Sequence, residues 1–399
     1  MGRAGPAVPG KSEGAITGKE ISMKMTIDRT ALEKKPLRFV VIGSGWRSLF
    51  YWRIACAYPE LFTMEAMLCR TEEKAGHMRK QYGVPAVTSE AVCEAMKPDF
   101  MVAAVNKASI FPVTKHWAGK GFPVLCETPA ALELDELKEL WRMKMEEGAK
   151  IQVAEQYFLY PSFAAAAEVV RRGYLGEASM MTLSAVHDYH GASIIRRMLG
   201  TGLQNMTVYG KEYPFTLMET DSRDGAITDG RMSERMRRRV TFEFEDGKTA
   251  FYDFSSVQYH SYIRSRHLNV QGMTGELNDW TVRYVKEEVQ PSGRRFLPME
   301  QTMSVERNAS GGGIIRISLG EEQLYVNPFV HMGLKQVLPQ DETAIAVLMM
   351  GMRRYIEEGL ECYPLAEGLQ DAYALILVNE ALKSPGRPVR SETQIWAGI

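Results

Sequence analysis

The most informative segment of this sequence is Leu37-Arg38-Phe39-Val40-Val41-Ile42-Gly43-Ser44-Gly45-Trp46-Arg47-Ser48. It begins as a short apolar run, typical of a buried parallel strand, and then breaks into a glycine turn. Helical spacing follows from Trp46 to Tyr58 and stops at Pro59. A buried strand that ends in Gly-Ser-Gly at the start of a helix is typical of a dinucleotide-binding βαβ unit.

Strand and helix patterns alternate regularly after this segment. Apolar strand patterns lie at Phe62 to Leu68, Phe100 to Val105, Pro123 to Cys126 and Ile151 to Ala154, with helical patterns between them. One of these helices is opened by Thr71, and another carries Leu134, Leu137, Trp141 and Met145 on one apolar stripe. The alternation predicts right-handed crossovers and one doubly wound parallel sheet.

The pattern changes after Pro161. From about residue 177 to residue 327 the strands are longer and alternate with period two, and a Glu245-Asp246-Gly247-Lys248 turn joins two of them. This pattern predicts a mostly antiparallel sheet with an Asp-Gly hairpin. Helical spacing returns over residues 341–383.

We therefore predict an α/β protein with three regions. These are a disordered N-terminal extension over 1–36, a Rossmann nucleotide-binding domain over 37–160, and a substrate and oligomerisation domain over 161–399 whose C-terminal helices return toward the first domain. An upstream start codon, used in place of Met23 or Met25, is an alternative explanation of the extension. The open sheet predicts a homodimer or homotetramer, because a broad apolar face would otherwise be exposed.

Composition excludes several classes of function. With 48 Lys and Arg against 49 Asp and Glu, the net charge of -1 gives no reason to expect a nucleic-acid partner. The five cysteines are scattered, which argues against disulfides or a thiolate metal site and favours a reducing cytoplasm. No apolar run approaches the roughly 20 residues of a membrane span. The pair His187 and His190 has no third ligand in view, so we expect no metal.

The glycine turn predicts where a coenzyme diphosphate would bind. Gly43 permits the tight turn, Gly45 allows close approach of backbone N–H groups, and Ser48 is a small residue in the place of the third glycine. The predicted cofactor contacts in this turn are Gly43, Ser44, Gly45, Trp46 and Arg47. After the second strand the sequence reads Cys69-Arg70-Thr71, without the carboxylate that NAD sites use for the ribose. Arg70 can instead pair with a 2′-phosphate, which favours NADP(H) and leaves NAD(H) possible.

The sequence resembles the Gfo/Idh/MocA family, which includes glucose-fructose oxidoreductase and inositol 2-dehydrogenase. The motifs that carry the resemblance are the glycine turn, Gly121-Phe122-Pro123-Val124-Leu125-Cys126-Glu127-Thr128-Pro129, Tyr160-Pro161, Gly272-Met273-Thr274-Gly275-Glu276 and Gly386-Arg387-Pro388-Val389. The resemblance implies a Rossmann domain followed by an open-sheet domain that places a sugar or cyclitol beside the nicotinamide.

The resemblance also implies site residues, with departures from the family pattern. The family lysine of Glu-Lys-Pro is Thr128 here, and the family Pro-Asn pair is Asn106-Lys107. Lys107 either restores a cation near the cofactor or is a solvated loop residue. His190 falls on the family histidine, and Ser193 falls where an aspartate is expected. The implied catalytic residues are His190, Thr128 and Tyr157, and Asn106 and Glu127 join the cofactor contacts.

We therefore expect an NAD(P)-dependent oxidoreductase that transfers hydride to or from a sugar, a cyclitol or a related hydroxyl or ketone. His190 would be the general acid or base, since an imidazole exchanges protons near neutral pH. Two alternatives stay open. One is a redox-assisted glycoside lyase or hydrolase that retains its cofactor, and the other is a non-catalytic nucleotide-binding sensor.

Overall fold

The computed structural model describes residues 29–398. The predicted extension over residues 1–36 therefore lies mostly outside the described residues. Its last part forms a single 3-10 turn, Arg29–Glu33, in which Ala31 is buried.

The first sheet is parallel throughout. Its strands are β1 (Leu37–Ile42), β2 (Phe62–Leu68), β3 (Ala86–Val87), β4 (Phe100–Ala103), β5 (Val124–Cys126) and β6 (Ile151–Val153). Its helices are α1 (Ser48–Ala57), α2 (Glu72–Tyr82), α3 (Glu90–Ala95), α4 (Lys107–Gly119) and α5 (Leu134–Glu147). The spatial order β3-β2-β1-β4-β5-β6 reverses direction between β1 and β4, and the glycine turn follows β1 at that switch point. This confirms the predicted doubly wound sheet.

The second region is built on a larger sheet. Its strands are β7 (Ala178–Ser184), β8 (Met206–Met218), β11 (Met232–Phe244), β12 (Thr249–Phe254), β13 (His267–Gly272), β14 (Gly275–Asn278), β15 (Thr281–Gln290), β16 (Gly293–Arg307), β17 (Ile314–Leu319), β18 (Glu322–Val326) and β19 (Val389–Arg390), and a small separate hairpin pairs β9 (Asp221–Ser222) with β10 (Gly225–Ala226). The helices are α6 (Pro161–Arg171), α7 (Asp188–Leu199), α8 (Pro328–Met332), α9 (Gln340–Glu358) and α10 (Leu365–Lys383). The order is β18-β17-β16-β15-β14-β13-β7-β12-β11-β8-β19, antiparallel except between β7 and β12, which confirms the predicted mostly antiparallel sheet.

The two faces of the first sheet join different apolar clusters. Phe39 and Val41 point into a cluster that includes the buried face of α9, whereas Val40 and Ile42 join a cluster that continues through α10 to the large sheet. Arg53 on α1 donates to Glu342 on α9 at 2.7 Å. The C-terminal helices thereby hold the large sheet in place against the Rossmann domain.

Two details of the helix predictions were wrong. Helix α1 begins at Ser48 instead of Trp46, because the preceding residues form a turn. Met145, expected on the apolar stripe of α5, is 57% exposed because it lies in the last turn before the helix ends at Gly148. Within residues 29–398, no helix is both long enough and apolar enough to cross a membrane.

Candidate functional site

The turn after β1 requires glycine at its first position. Gly43 has φ +110° and donates its N–H to the carbonyl of Leu68 at 3.0 Å. A Cβ at this position would lie 2.3 Å from the carbonyl oxygen of Ala104 at the end of β4. The left-handed conformation and the close approach both exclude a larger residue, and together they direct the chain across the sheet edge.

The next residues form an open cradle of backbone donors. The N–H groups of Ser44, Gly45, Trp46 and Arg47 have no acceptor among residues 29–398, whereas Ser48 already donates to the carbonyl of Gly45 at 3.1 Å. A Cβ on Gly45 would meet no atom within 4 Å, so the space beside this glycine is open. Free N–H groups at the start of α1 fit the diphosphate of a dinucleotide.

Arg47 is the cation of this loop, and two carboxylates already bind it. Its Nε donates to Glu127 at 2.8 Å, and its Nη1 lies 3.2 Å from both oxygens of Asp341 at the start of α9. Burial opposes the charge, but the two carboxylates outweigh burial and raise the pKa of Arg47. Tyr51 also donates to Glu127, at 2.7 Å. The predicted cofactor contacts Arg47 and Glu127 therefore pair with each other, and Arg47 contributes little free positive charge to the cradle.

The end of β2 presents an unpaired arginine. Arg70 is exposed and makes no hydrogen bond or ion pair within the described part of the chain. The next residue, Thr71, caps α2 by accepting the N–H of Lys74 at 3.3 Å. The guanidinium of Arg70 is thus available where the adenosine ribose would lie in this fold.

The end of β4 contributes Asn106 and Lys107. Asn106 caps α4, with its side-chain oxygen accepting the N–H of Ser109 at 3.2 Å. Lys107 turns toward the second region, and its Nζ lies 5.3 Å from the ring centroid of Tyr189. A cation therefore does lie beside the candidate catalytic residues.

The predicted base, His190, has an acidic partner from the other domain. Its Nδ1 lies 2.5 Å from Oε2 of Glu155, which follows β6 of the first sheet, and both side chains are buried. The other oxygen of Glu155 accepts the N–H of Tyr157 at 3.0 Å. The Tyr157 ring lies against His190, with centroids 4.3 Å apart. Nε2 of His190 makes no hydrogen bond among the described residues.

Burial sets the proton distribution of this pair. It raises the pKa of Glu155 to about 8 and lowers the pKa of His190 well below its usual value. Below pH 8 the carboxyl O–H of Glu155 therefore donates to Nδ1, and the neutral imidazole carries its own proton on Nε2. Loss of one proton leaves a carboxylate that accepts from Nδ1–H, and Nε2 is then a bare base.

A chain of hydroxyl and imidazole groups runs beside the pair, from Tyr157 to Thr128. The Tyr157 hydroxyl lies 3.5 Å from that of Tyr259, which lies 2.6 Å from Nδ1 of His187. Nε2 of His187 lies 3.1 Å from the Tyr189 hydroxyl, which donates to the carbonyl of Thr128 at 3.3 Å. The predicted residues Thr128, Tyr157 and His190 are thus brought into one cluster.

The hydrogen bonds along this series of groups all run in one direction. A carbonyl only accepts hydrogen bonds, so the Tyr189 hydroxyl donates its proton to the Thr128 carbonyl. Its oxygen must therefore accept a hydrogen bond from Nε2–H of His187. Burial lowers the pKa of His187 to about 3, so the ring is neutral and its Nδ1 accepts from Tyr259. Tyr259 then has no further proton to give, and Tyr157 donates to it. The Tyr157 oxygen consequently has lone pairs free to accept a hydrogen bond from a substrate.

The acidic partner of His190 does not lie at position 193, where the family pattern would place it. Ser193 is buried on α7 and contacts the Tyr363 hydroxyl at 3.1 Å, so it does not serve His190. Glu155 was missed although it follows a buried strand closely, at the edge where parallel sheets bind ligands. In the described part of the chain, no group of three or more His, Cys, Asp or Glu is placed to hold a metal ion.

Comparison with known proteins identifies the first domain. Residues 37–155 match the GFO_IDH_MocA model, described as an oxidoreductase family with an NAD-binding Rossmann fold, which confirms the resemblance seen in the sequence. A comparison with curated proteins gives no match.

Solved structures share the fold of nearly the whole chain. An NAD binding oxidoreductase from Klebsiella pneumoniae is 16% identical with a TM-score of 0.62, covering 90% of this chain and 100% of that one. A myo-inositol dehydrogenase from Corynebacterium glutamicum is 16% identical with a TM-score of 0.59, covering 90% and 100%. An oxidoreductase from Agrobacterium radiobacter, in complex with NAD+, L-tartaric acid and magnesium, is 17% identical with a TM-score of 0.60, covering 89% and 98%. Both regions therefore share the fold of these solved structures.

Proposed function

Because residues 37–155 carry the NAD-binding Rossmann fold of the Gfo/Idh/MocA oxidoreductase family, we propose that this chain is an NAD(P)-dependent oxidoreductase. Its substrate is a sugar, a cyclitol or a related small molecule, oxidised at a CH–OH group or reduced at the matching ketone. One observation carries the proposal. The open amide cradle and the Glu155–His190 pair both lie at the carboxyl edge of the first sheet, where coenzyme and substrate would meet.

The residues of the pair divide the acid–base work. When bound, the coenzyme supplies the hydride acceptor or donor. His190 takes the hydroxyl proton through bare Nε2 during oxidation and returns it from Nε2–H during reduction. When Nε2 gains a proton, the proton on Nδ1 passes to the carboxylate of Glu155, and it returns to Nδ1 when Nε2–H is given up. Because the pair is buried, these exchanges occur away from bulk water.

The surrounding residues position the substrate. The free lone pairs of Tyr157 accept a second hydroxyl, and the Thr128 side chain contacts the substrate or the nicotinamide. Thr128 cannot provide the positive charge of a lysine. Lys107 approaches the same cluster over the Tyr189 ring and provides that charge as negative charge develops on the substrate oxygen.

NADP(H) is the favoured coenzyme. Arg70 is exposed and unpaired among residues 29–398, and its planar fork matches a 2′-phosphate. NAD(H) would bind through the same cradle without that contact. The expected result is a lower Kd for NADP+ than for NAD+, measured by tryptophan fluorescence in one buffer.

The outer face of the large sheet supports a homodimer or homotetramer. Tyr213 and Phe251 on this face, and Ile263 in the loop before β13, are large apolar residues that are 43%, 38% and 49% exposed. They border a groove of about 720 Å³ that also contains Arg237 and Arg239. Light scattering on the purified protein tests this state, and a monomer at working concentration would contradict it. The free cysteines support a cytoplasmic location.

The function is tested by binding first and turnover second. NADPH and NADH are titrated against intrinsic fluorescence, and a panel of sugars and polyols is then assayed by nicotinamide absorbance. His190→Ala should lower turnover about a hundredfold or more while coenzyme binding persists. The control His267→Gln alters a partly exposed histidine paired with Asp279 and should leave turnover unchanged.

Three results would contradict this function or favour an alternative. Absence of binding by either coenzyme would exclude the proposal. Product formation without net change in nicotinamide absorbance would favour the redox-assisted lyase or hydrolase. Tight binding with no turnover across the panel would favour a sensor.

A further inference from the structure

A hairpin from the second domain reaches the glycine turn of the first. Beyond the pairing of Met218 with Met232, the chain continues outward through β9 and β10, and Arg223 stands at the tip of this hairpin. The guanidinium carbon of Arg223 lies 4.7 Å from the ring centroid of Trp46. Trp46 is itself one of the residues whose N–H groups form the open cradle. The tip therefore lies next to the proposed diphosphate site.

The tip is internally braced. The Ser222 hydroxyl donates to the carbonyl of Gly225 at 3.1 Å and accepts the N–H of Asp224 at 3.1 Å. At its base, the hairpin is held by the N–H of Tyr262, which donates to the Thr220 hydroxyl at 2.9 Å. These contacts present Arg223 from a formed turn, so little order has to be gained when an anion binds.

The lack of a carboxylate partner among the described residues distinguishes Arg223 from neighbouring arginines. Arg231, just before β11, and Arg235, on β11, both pair with Glu219. Arg223 is exposed and has neither an ion pair nor a hydrogen bond in the part of the chain that the structure describes. Its contact with the Trp46 ring uses no hydrogen-bond acceptor, so the N–H groups of the guanidinium stay available.

The proposed coenzyme needs such a cation. A dinucleotide diphosphate carries two negative charges, and the cradle offers neutral N–H groups. The positive charge of Arg47 in the same loop is already matched by Glu127 and Asp341. We infer that Arg223 binds the coenzyme diphosphate, so that the second domain closes over the cofactor through this hairpin. This inference rests on the proposed function.

Titration with three adenine compounds, of which two carry a diphosphate, tests the inference. NADP+, ADP and adenosine are titrated against wild type and Arg223→Ala by calorimetry, at two salt concentrations. We expect the Kd of NADP+ and of ADP to rise roughly tenfold or more, because charge-assisted hydrogen bonds are lost, while the Kd of adenosine stays the same. The salt dependence of NADP+ binding should also weaken. Arg223→Lys should recover part of the affinity, since it keeps the charge without the fork.

The matched control is Arg231→Ala, which removes an exposed arginine from the same hairpin that already has a partner. It should leave all three Kd values unchanged. Unchanged ADP and NADP+ binding in Arg223→Ala, beside tight wild-type binding, would overturn this inference and leave the proposed function intact. A loss of adenosine binding equal to that of ADP would also overturn it, since a structural brace would act on both. Failure of the wild type to bind any coenzyme would instead remove the proposed function itself.

Discussion

Glu155→Gln replaces the carboxyl group that contacts His190 with an uncharged amide of nearly the same shape. Because one oxygen of Glu155 accepts the N–H of Tyr157, the amide oxygen takes that place and the amide NH2 faces Nδ1 of His190. The amide then donates to Nδ1, and the remaining ring proton stays on Nε2. In the variant no proton can pass from residue 155 to Nδ1 when Nε2–H is given up, so the variant should slow both directions of the reaction.

The wild-type profile follows from the pKa of Glu155, which burial raises to about 8. Oxidation needs bare Nε2, so kcat/KM for oxidation should rise about tenfold per pH unit up to pH 8 and level off above it. At pH 6 it should be about one hundredth of the plateau. Reduction needs Nε2–H, so it should be level below pH 8 and fall above it.

Other charged groups also act on the pair. After burial, the largest influences on the pKa of His190 are Arg47 and Lys107, which lower it, and Asp341, which raises it. Arg197 and Arg47 act against burial at Glu155. The measured midpoint of the pH profile therefore reflects all of these charged residues together. What the reasoning predicts is whether each rate rises or falls with pH.

In Glu155→Gln, oxidation at pH 9 should fall about a hundredfold or more, and the break in its pH profile near pH 8 should disappear because the carboxyl group that titrates there is gone. Reduction at pH 6 should fall by a similar factor, because Nε2–H cannot be given up unless a proton reaches Nδ1. The control Ser193→Ala removes one hydrogen bond on the same helix and should keep the wild-type profile, at a cost of about 1 kcal/mol in unfolding free energy. A wild-type oxidation rate that is flat from pH 6 to 9, or a variant that retains the break near pH 8, would refute the reasoning.

Three further substitutions test other parts of the site. Arg70→Ser should raise the Kd of NADP+ roughly tenfold and leave that of NAD+ unchanged, in fluorescence titrations. Gly43→Ala should lose about 1 to 3 kcal/mol in urea unfolding because φ is +110° and its Cβ would lie 2.3 Å from a carbonyl oxygen, whereas Gly45→Ala should fold normally. Tyr259→Phe should lower the melting temperature and slow turnover, because it removes the acceptor of the His187 N–H and the donor to its ring, a loss of about 1 to 3 kcal/mol.

The first sheet was predictable because its signals are local. Phe62–Leu68 was predicted with its observed bounds, and Thr71 caps its helix as its residue type suggests. Each depends on residues within one turn or one strand. The Asp246-Gly247 hairpin was predictable for the same reason, with Gly247 at φ +84°.

The Glu155–His190 pair, which we propose as catalytic, was only half predictable. His190 was identified through a family position, and its partner was sought three residues further along the same helix. Position 193 instead lies nearly one turn away and faces Tyr363 in the core. The carboxyl group comes from Glu155, and only packing of α7 against the edge of the first sheet brings the two together. No spacing in the sequence records a contact between two domains.

The same argument extends to the rest of the site and explains how it could respond as a unit. Glu155 and His190 belong to different domains, as do Thr128 and Tyr189, and Trp46 and Arg223. The contact between Glu155 and His190 is 2.5 Å long, so the base strength of Nε2 would change if the two domains moved apart. An anion bound between the cradle and Arg223 would draw the same two domains together. Binding of the coenzyme and the acid–base strength of His190 would then be coupled through domain approach.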